Sequence, residues 1–162
     1  MYTGVDPNKW LVRDGIKRET GRDLISIKKP HFYFADNLSG LSVSKVFDFA
    51  LAQSIFSHCG PDLVVRWLRE ISVHLRGTGV LVATFLTGDV DCVAAGWTYP
   101  GCVAYRPERV REMAQDAGML FVELNWKHPR QTWALFCKPE FDRTLSDGGE
   151  VSWNKMMAHQ VV

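Results

Sequence analysis

The sequence lacks a strong charge of either sign. Its 162 residues carry 19 Lys and Arg against 18 Asp and Glu, for a formal net charge of +1. Binding to nucleic acid depends largely on cationic side chains that neutralise phosphates, and a near-neutral chain provides no such field. The local basic runs "RDGIKRETGR" and "RPERVR" contain acids at helical spacing, which indicates solvated helix faces. We therefore expect neither nucleic acid nor a membrane surface as a partner.

The sequence also lacks a cysteine pair motif and a long apolar run. Its four cysteines are separated by 33, 10 and 35 residues, unlike the close pairs of zinc and redox sites. No segment approaches the ~20 apolar residues that span a bilayer. The opening "MYTGVDPNKW" is too polar for a secretory signal. We therefore expect no metal site and a reduced, cytoplasmic protein. The cysteines are Cys59, Cys92, Cys102 and Cys137.

Strand-like and helix-like segments alternate along the chain, and 46% of its residues are hydrophobic, enough for one core. Apolar and aromatic runs predict strands, and stripes of apolar residues at helical spacing predict helices. The predicted strands cover "MYTGVD", 31–36, 46–55, 80–87, 119–126 and 131–138. The predicted helices cover 7–21, 61–76 and 106–118.

The end of this pattern indicates a reversed strand. Only "KHPR" joins the last two predicted strands, and so short a link makes a hairpin with antiparallel strands. The strand–helix alternation before it predicts a mostly parallel α/β sheet with helices on both faces. An 18-residue stretch, 88–105, is rich in turn signals and is expected to form a long functional loop.

The ordered segments "YTGVD", "FAD", "FDFALAQSIFSH" and "GTGVLVATF" resemble the class I S-adenosylmethionine-dependent methyltransferases. The closing "VELNWKHPRQTWALFCK" looks like the reversed final strand of that family's Rossmann-like sheet. The resemblance covers residues 1–139 as a partial methyltransferase domain, followed by a polar tail, 140–162. It implies an enzyme that transfers a methyl group from S-adenosyl-L-methionine to a small-molecule or glycan-like acceptor.

The resemblance also assigns cofactor contacts. Asp6 would bind the ribose hydroxyls, although a carboxylate before Pro7 could equally cap a helix. Asp36 would contact the adenine, with Asn37 beside it, although a turn residue in a polar loop is the alternative for Asp36. The segment after the third predicted strand would line the methionine portion of the cofactor. That segment comprises Ala52, Gln53 and Ser54.

The catalytic and acceptor-binding residues follow from the same resemblance. His58 is a candidate general base, since histidine titrates near working pH, but it could instead help to start the next helix. The long loop and the hairpin turn would bind the acceptor, with a packed surface loop as the alternative for the aromatic loop residues. The candidates are Trp97, Tyr99, Tyr105, Arg106, His128 and Gln131.

The sequence departs from the family by lacking the glycine-rich loop that follows the family's first strand. This chain begins at the segment that matches the second strand. It is therefore expected to be a fragment, to recruit the missing strand from a partner chain, or to pair its two flanking strands directly. The alternative function is a non-catalytic, methyltransferase-like partner subunit, which an exposed apolar sheet edge would support. A nicotinamide oxidoreductase fragment is a weaker alternative, because no Gly-x-Gly-x-x-Gly loop is present.

Overall fold

The computed structural model describes residues 2–20, 22–42, 44 and 46–141, so most of the predicted polar tail lies outside the described residues. Contacts between residues divide the chain into two compact units, Met1–Ser42 and Val43–Val162.

The first unit contains a pair of parallel strands and the helices between them. Its elements are β1 (Thr3–Val5), α1 (Lys9–Gly15), a π-helical segment (Ile16–Thr20), α2 (Arg22–Lys28) and β2 (His31–Tyr33). The two strands pair in register, with Gly4 opposite Phe32. The Asn8 side chain caps α1 by accepting hydrogen bonds from the backbone N–H of Trp10 and of Leu11, both at 3.1 Å. Asn8, and not Asp6, is therefore the N-cap of this helix.

The second unit holds the main sheet. Its strands are β3 (Phe47–Ala52), β4 (Leu75–Thr87), β5 (Ala104–Tyr105), β6 (Leu120–Leu124) and β7 (Thr132–Cys137). Its helices are α3 (Pro61–His74), α4 (Pro107–Asp116) and a 3₁₀ turn (Phe56–His58). Both α-helices carry Pro in the first turn, where its missing N–H costs no helical hydrogen bond.

The strand order of the main sheet is β3-β4-β7-β6, and β5 pairs with the end of β4. Strands β3, β4 and β5 run parallel, whereas β7 is antiparallel to both of its neighbours. The four-residue link predicted a hairpin from β6 and β7, and the structure confirms it. The structure also shows what the link could not predict, namely that β7 lies between β4 and β6.

The core of this unit lies along β4, whose residues 79–85 are all buried. One face packs Val80 and Val82 in a cluster with buried residues of the neighbouring strands and the following turn, namely Leu124, Leu135, Cys137 and Phe141. The apolar composition of β4 on both faces is what a central strand requires.

Helix α3 and strand β4 meet earlier than the pattern predicted. The helix was predicted to cover 61–76, but α3 ends at His74 and the β4 ladder begins at Leu75, opposite Phe47. Leu75 is 2% exposed, and its burial favours an early start to the strand. A Cβ on Gly79 would lie 2.7 Å from the Phe47 carbonyl oxygen, so glycine permits the close approach at the register shift between Phe47 and Phe49.

Strand β3 lies at the edge of the main sheet. In the described part of the chain it has one strand neighbour, β4, so the structure does not show direct pairing of segment 46–55 with segment 2–6. The strand exposes large apolar side chains, with Leu51 58% and Phe49 46% exposed. An edge of this kind is a template for pairing with another strand.

Candidate active site

A polar network joins the carboxyl ends of β3 and β4 to the start of β7. The backbone N–H of Ser54 donates to Thr84 Oγ1 at 2.8 Å, and Gln131 Nε2 donates to Ser54 Oγ at 3.1 Å. Ser54 has a φ of 58°, a left-handed conformation that non-glycine residues rarely adopt. Such strain typically costs about 1–3 kcal/mol and persists where the surroundings hold it, often at functional sites.

His58 lies in the 3₁₀ turn that follows this network. Its Nδ1 is 2.7 Å from the Gly101 carbonyl oxygen and must donate to it, so in the neutral ring Nε2 is the unprotonated nitrogen. Cys102 Sγ lies 3.8 Å from the same Nδ1, and the Tyr99 ring packs edge-on with its centroid 5.4 Å away. His58 does not start α3, whose N-cap is Gly60. Its geometry leaves one nitrogen able to accept a proton.

Two carboxylates hold the long loop between β4 and β5. Asp62 accepts hydrogen bonds from the backbone N–H of Gly96, at 2.9 and 3.2 Å to its two oxygens. Asp91 accepts from the backbone N–H of Arg106 at 2.8 Å and pairs with its guanidinium at 2.6 Å. These hydrogen bonds from Arg106 hold the pKa of the Asp91 carboxyl below its usual range. Trp97, within this loop, forms a β-bridge with Cys59 and is 44% exposed.

Tyr105 is fully buried, and its hydroxyl donates to the Cys59 carbonyl oxygen. Burial raises the pKa of the Tyr105 phenol. Burial, reinforced by the nearby Asp62 carboxylate, raises the pKa of the Cys59 thiol to about 12. Both groups therefore stay neutral at working pH. The prediction that Tyr105 contacts the methyl acceptor stays a prediction. Its side chain is fully buried and its hydroxyl is engaged by the Cys59 carbonyl, so we do not include it in the proposed site. Arg106 is similarly engaged by Asp91.

The β6–β7 hairpin lines an open cavity of about 690 Å³ within the second unit. His128 lines it, and its Nδ1 accepts hydrogen bonds from the backbone N–H of Arg130 at 3.2 Å and of Gln131 at 2.9 Å. In the neutral ring the proton is therefore on Nε2, opposite to the arrangement in His58. The lining residues are Glu123, Leu124, Asn125, Trp126, Lys127, His128, Pro129, Gln131 and Thr132.

The predicted ribose and adenine contacts lie in the first unit. Asp6 follows β1, and its Oδ1 accepts the backbone N–H of Asn8 at 2.7 Å. Asp36 follows β2 and accepts from Asn37 Nδ2 at 2.8 Å, while Asn37 Oδ1 accepts the backbone N–H of Ser39 at 3.0 Å. Each carboxylate thus lies just beyond one of the two parallel strands, and its role as a cofactor contact stays a prediction.

The second unit holds the residues that were predicted to contact the methionine portion of the cofactor, at the end of β3 and just after it. Ala52 ends the strand, Gln53 is exposed, and Ser54 belongs to the polar network. Thr84, which is fully buried and accepts a hydrogen bond from the backbone N–H of Ser54, was not among the residues predicted from the sequence. The sequence does carry a sign of this residue, because Thr84 places a hydroxyl group inside the apolar run "VLVATFLT".

Among the described residues we looked for a metal site and for a membrane-spanning helix. No three His, Cys, Asp or Glu side chains among them cluster as metal ligands do. Neither does that part of the chain contain a helix with the length and apolar character needed to cross a membrane.

Several solved structures share this architecture. Magnesium protoporphyrin IX methyltransferase from Synechocystis PCC 6803, with bound S-adenosylmethionine, matches with a TM-score of 0.59 and 11% identity over 84% of this chain and 58% of its own. An O-methyltransferase family protein from Burkholderia thailandensis matches with a TM-score of 0.58 and 15% identity, over 83% of this chain and 42% of its own.

A third match is 1,6-didemethyltoxoflavin-N1-methyltransferase from Burkholderia thailandensis, with bound 1,6-didemethyltoxoflavin and S-adenosylhomocysteine. Its TM-score is 0.59 and its identity 16%, over 84% of this chain and 70% of its own. No family model and no curated protein matches the sequence.

The chain therefore has the Rossmann-like fold of the class I S-adenosylmethionine-dependent methyltransferases, which confirms the predicted fold class. It spans 58% and 42% of the lengths of the first two structures named above.

Proposed function

We propose that this chain forms part of an S-adenosylmethionine-dependent methyltransferase that acts on a small organic acceptor. The observation that carries the proposal is the order β3-β4-β7-β6 with a reversed β7, together with the polar network at the carboxyl ends of β3 and β4. In open α/β sheets, ligands bind beyond the carboxyl ends of the strands.

Within the first unit, the chemistry of Asp6 fits the ribose of the cofactor. Asp6 uses Oδ1 within its own turn, and its Oδ2 accepts no hydrogen bond from the described residues, so a carboxylate oxygen remains for the ribose hydroxyls. Asp36 and Asn37 would hold the adenine, and the backbone of 52–54 the methionine portion. When bound, the sulfonium supplies an electrophilic methyl group. The glycine-rich loop that holds its amino-acid end in the family is not in this sequence.

His58 is the proposed general base. With Nδ1 donating to the Gly101 carbonyl, the ring is oriented by the loop and Nε2 can accept a proton from an acceptor hydroxyl or amine. Trp97 and Tyr99, which are 44% and 76% exposed in the same loop, are the proposed acceptor contacts there, and His128 is the one in the hairpin. We place the reaction in the reducing cytoplasm, in keeping with four cysteines that form no disulfide.

A second candidate function is that of a non-catalytic partner subunit. The exposed apolar edge of β3 supports it, because a strand from another chain would pair there and cover Leu51. A longer form of this protein could supply the same strand. In either case the glycine-rich loop would come with the added strand.

Thermal unfolding with and without S-adenosylhomocysteine tests cofactor binding. At 100 times the dissociation constant, a ligand of the native state adds about 2.7 kcal/mol, a readable rise in melting temperature. We expect the rise in the wild-type chain and its loss in Asp6→Asn. The matched control is Asp23→Asn, which changes an exposed carboxylate on α2 and should keep the rise.

The other results separate the two candidates. A cooperative melt that does not move with S-adenosylhomocysteine contradicts cofactor binding by this chain and favours the partner subunit. If Asp6→Asn shifts as much as the wild type, the ribose assignment is wrong even though the cofactor binds.

A further inference from the structure

Backbone hydrogen bonds hold the loop between β4 and β5 against the 3₁₀ turn that carries His58. The N–H of Thr98 donates to the His58 carbonyl oxygen at 2.9 Å, and the N–H of Val103 donates to the Ser57 carbonyl oxygen at 2.9 Å. Gly101, whose carbonyl oxygen accepts from the His58 ring at 2.7 Å, lies between these two contacts in the sequence. The position of the Gly101 carbonyl therefore depends on how firmly the loop is held.

Gly96, at the start of this part of the loop, is held through both of its backbone groups. Its carbonyl oxygen accepts from the N–H of Gly60 at 2.8 Å, and its N–H donates to the Asp62 carboxylate at 2.9 and 3.2 Å. Gly96 has a φ of 72°, a left-handed conformation that glycine adopts without strain. The next residue, Trp97, forms the β-bridge with Cys59. Asp62 is therefore a side-chain anchor of the loop beside the His58 turn.

This anchor has a consequence for the chemistry of the His58 ring. A backbone carbonyl oxygen can only accept, so the Gly101 carbonyl selects the neutral form with its proton on Nδ1 and leaves Nε2 unprotonated. Cys102 Sγ, at 3.8 Å from the same nitrogen, can donate or accept weakly and selects neither form. If the Gly101 carbonyl moves away, this selection is lost.

We infer that Asp62 is a positioning residue for His58. By holding the N–H of Gly96, Asp62 keeps the Gly101 carbonyl in place, and that carbonyl keeps the proton of the neutral ring on Nδ1. The inference rests on the proposed function, in which His58 Nε2 takes a proton from the methyl acceptor. Asp62 acts through the loop and needs no contact with acceptor or cofactor, so its effect on the ring can be measured without either.

Nitrogen NMR of isotope-labelled histidine rings in the full chain measures which nitrogen carries the proton. Spectra recorded about two pH units above the ordinary pKa of histidine report the neutral ring. We expect the Nδ1–H form of His58 to dominate in the wild type. In Asp62→Ala the ratio of the Nδ1–H form to the Nε2–H form should fall roughly fivefold, as for the loss of one hydrogen bond. Asp62→Asn keeps an oxygen that can accept from Gly96 and should retain most of the wild-type ratio.

Two controls separate positioning from a general effect on the fold. Glu108→Ala removes an acid from the first turn of α4, as Asp62→Ala does from the first turn of α3, and should leave the His58 ratio unchanged. His128 is the internal control, because its Nδ1 accepts from two backbone N–H groups and its neutral ring should carry the proton on Nε2 in every variant.

The opposite results overturn the inference. They are a His58 ring that is mainly Nε2–H in the wild type, a ratio that Asp62→Ala leaves unchanged, and a change that affects His58 and His128 alike. A fall in Asp62→Asn as large as that in Asp62→Ala also overturns it, since the hydrogen bond to Gly96 would then not carry the effect. If Asp62→Ala does not melt cooperatively, Asp62→Ser keeps a small polar side chain but lacks the carboxylate, and it should show the same fall.

Cofactor binding is measured separately, by the shift in melting temperature with S-adenosylhomocysteine. A chain with the expected forms of His58 in the wild type and in Asp62→Ala, but with no shift in melting temperature, contradicts the proposed function alone. A chain that shifts with S-adenosylhomocysteine, but whose His58 ring is the same with and without the Asp62 carboxylate, contradicts the inference alone.

Discussion

At the scale of single residues, hydrogen bonds give two histidines opposite chemical roles. His58 donates through Nδ1 to a carbonyl, and its Nε2 can act as a base. His128 accepts through Nδ1 from two N–H groups, and its Nε2 can act as a donor. The residue type alone does not predict either role, because the hydrogen-bond partner of one ring nitrogen determines which nitrogen carries the proton.

Gly60 is a residue whose lack of a side chain has a measurable consequence. A Cβ there would collide with the Ala94 carbonyl oxygen and lie 2.9 Å from Asp62 Oδ1. We predict that Gly60→Ala lowers the free energy of unfolding by about 1–3 kcal/mol, the usual effect of overpacking. Urea unfolding measures it. Gly40→Ala, where nothing lies within 4 Å, is the control and should change stability by less than about 1 kcal/mol. Equal effects of the two substitutions would show that the loop moves away freely.

At the scale of elements, side-chain carboxylates order the loop between β4 and β5. Asp91 ties this loop to the start of α4 through the backbone N–H and guanidinium of Arg106. Hydrogen bonds from Arg106 lower the pKa of the Asp91 carboxyl in the folded chain relative to its ordinary value. Its contribution to stability is therefore fully present above the usual pKa of the carboxyl group and is lost progressively as the pH falls from there through the lowered pKa of the folded chain.

We predict that Asp91→Ala loosens this loop. Hydrogen exchange of amides in residues 88–103 at neutral pH should accelerate roughly two- to fivefold, the effect expected for an exposed ion pair. Asp89→Ala removes an exposed carboxylate two residues away and serves as the control, with exchange unchanged. Exchange that is equally fast in both variants would mean that Asp91 does not hold the loop.

At the scale of the whole molecule, strand β3 presents an unpaired sheet edge among the residues that the structure describes. We predict that the chain self-associates at high concentration and that Leu51→Lys suppresses this, since lysine on an edge strand opposes strand pairing. Sedimentation velocity across a concentration series measures the change. Val93→Lys introduces the same charge at a 95% exposed apolar residue outside the sheet and should leave association unchanged. Association that survives Leu51→Lys would place the interface elsewhere.

The strand–helix order and the final hairpin could be predicted from the sequence alone. The apolar run of β4 and the four-residue link before β7 depend on local pattern and chain length, which a sequence carries directly. The early start of β4 at Leu75 was missed because the burial of Leu75 depends on contacts that a local pattern does not carry. Helix α2, whose described residues are mostly exposed, was missed as well.

Only the tertiary structure decided which side chains meet. Ser54 is 30 residues from Thr84 and 77 residues from Gln131 along the chain. The pairing of β3 with β4 and of β4 with β7 brings both within hydrogen-bond distance of Ser54. The burial of Tyr105, and the insertion of β7 between β4 and β6, depend equally on contacts between distant segments. Residue types and spacing specify the elements, whereas hydrogen bonding and burial between those elements determine the site.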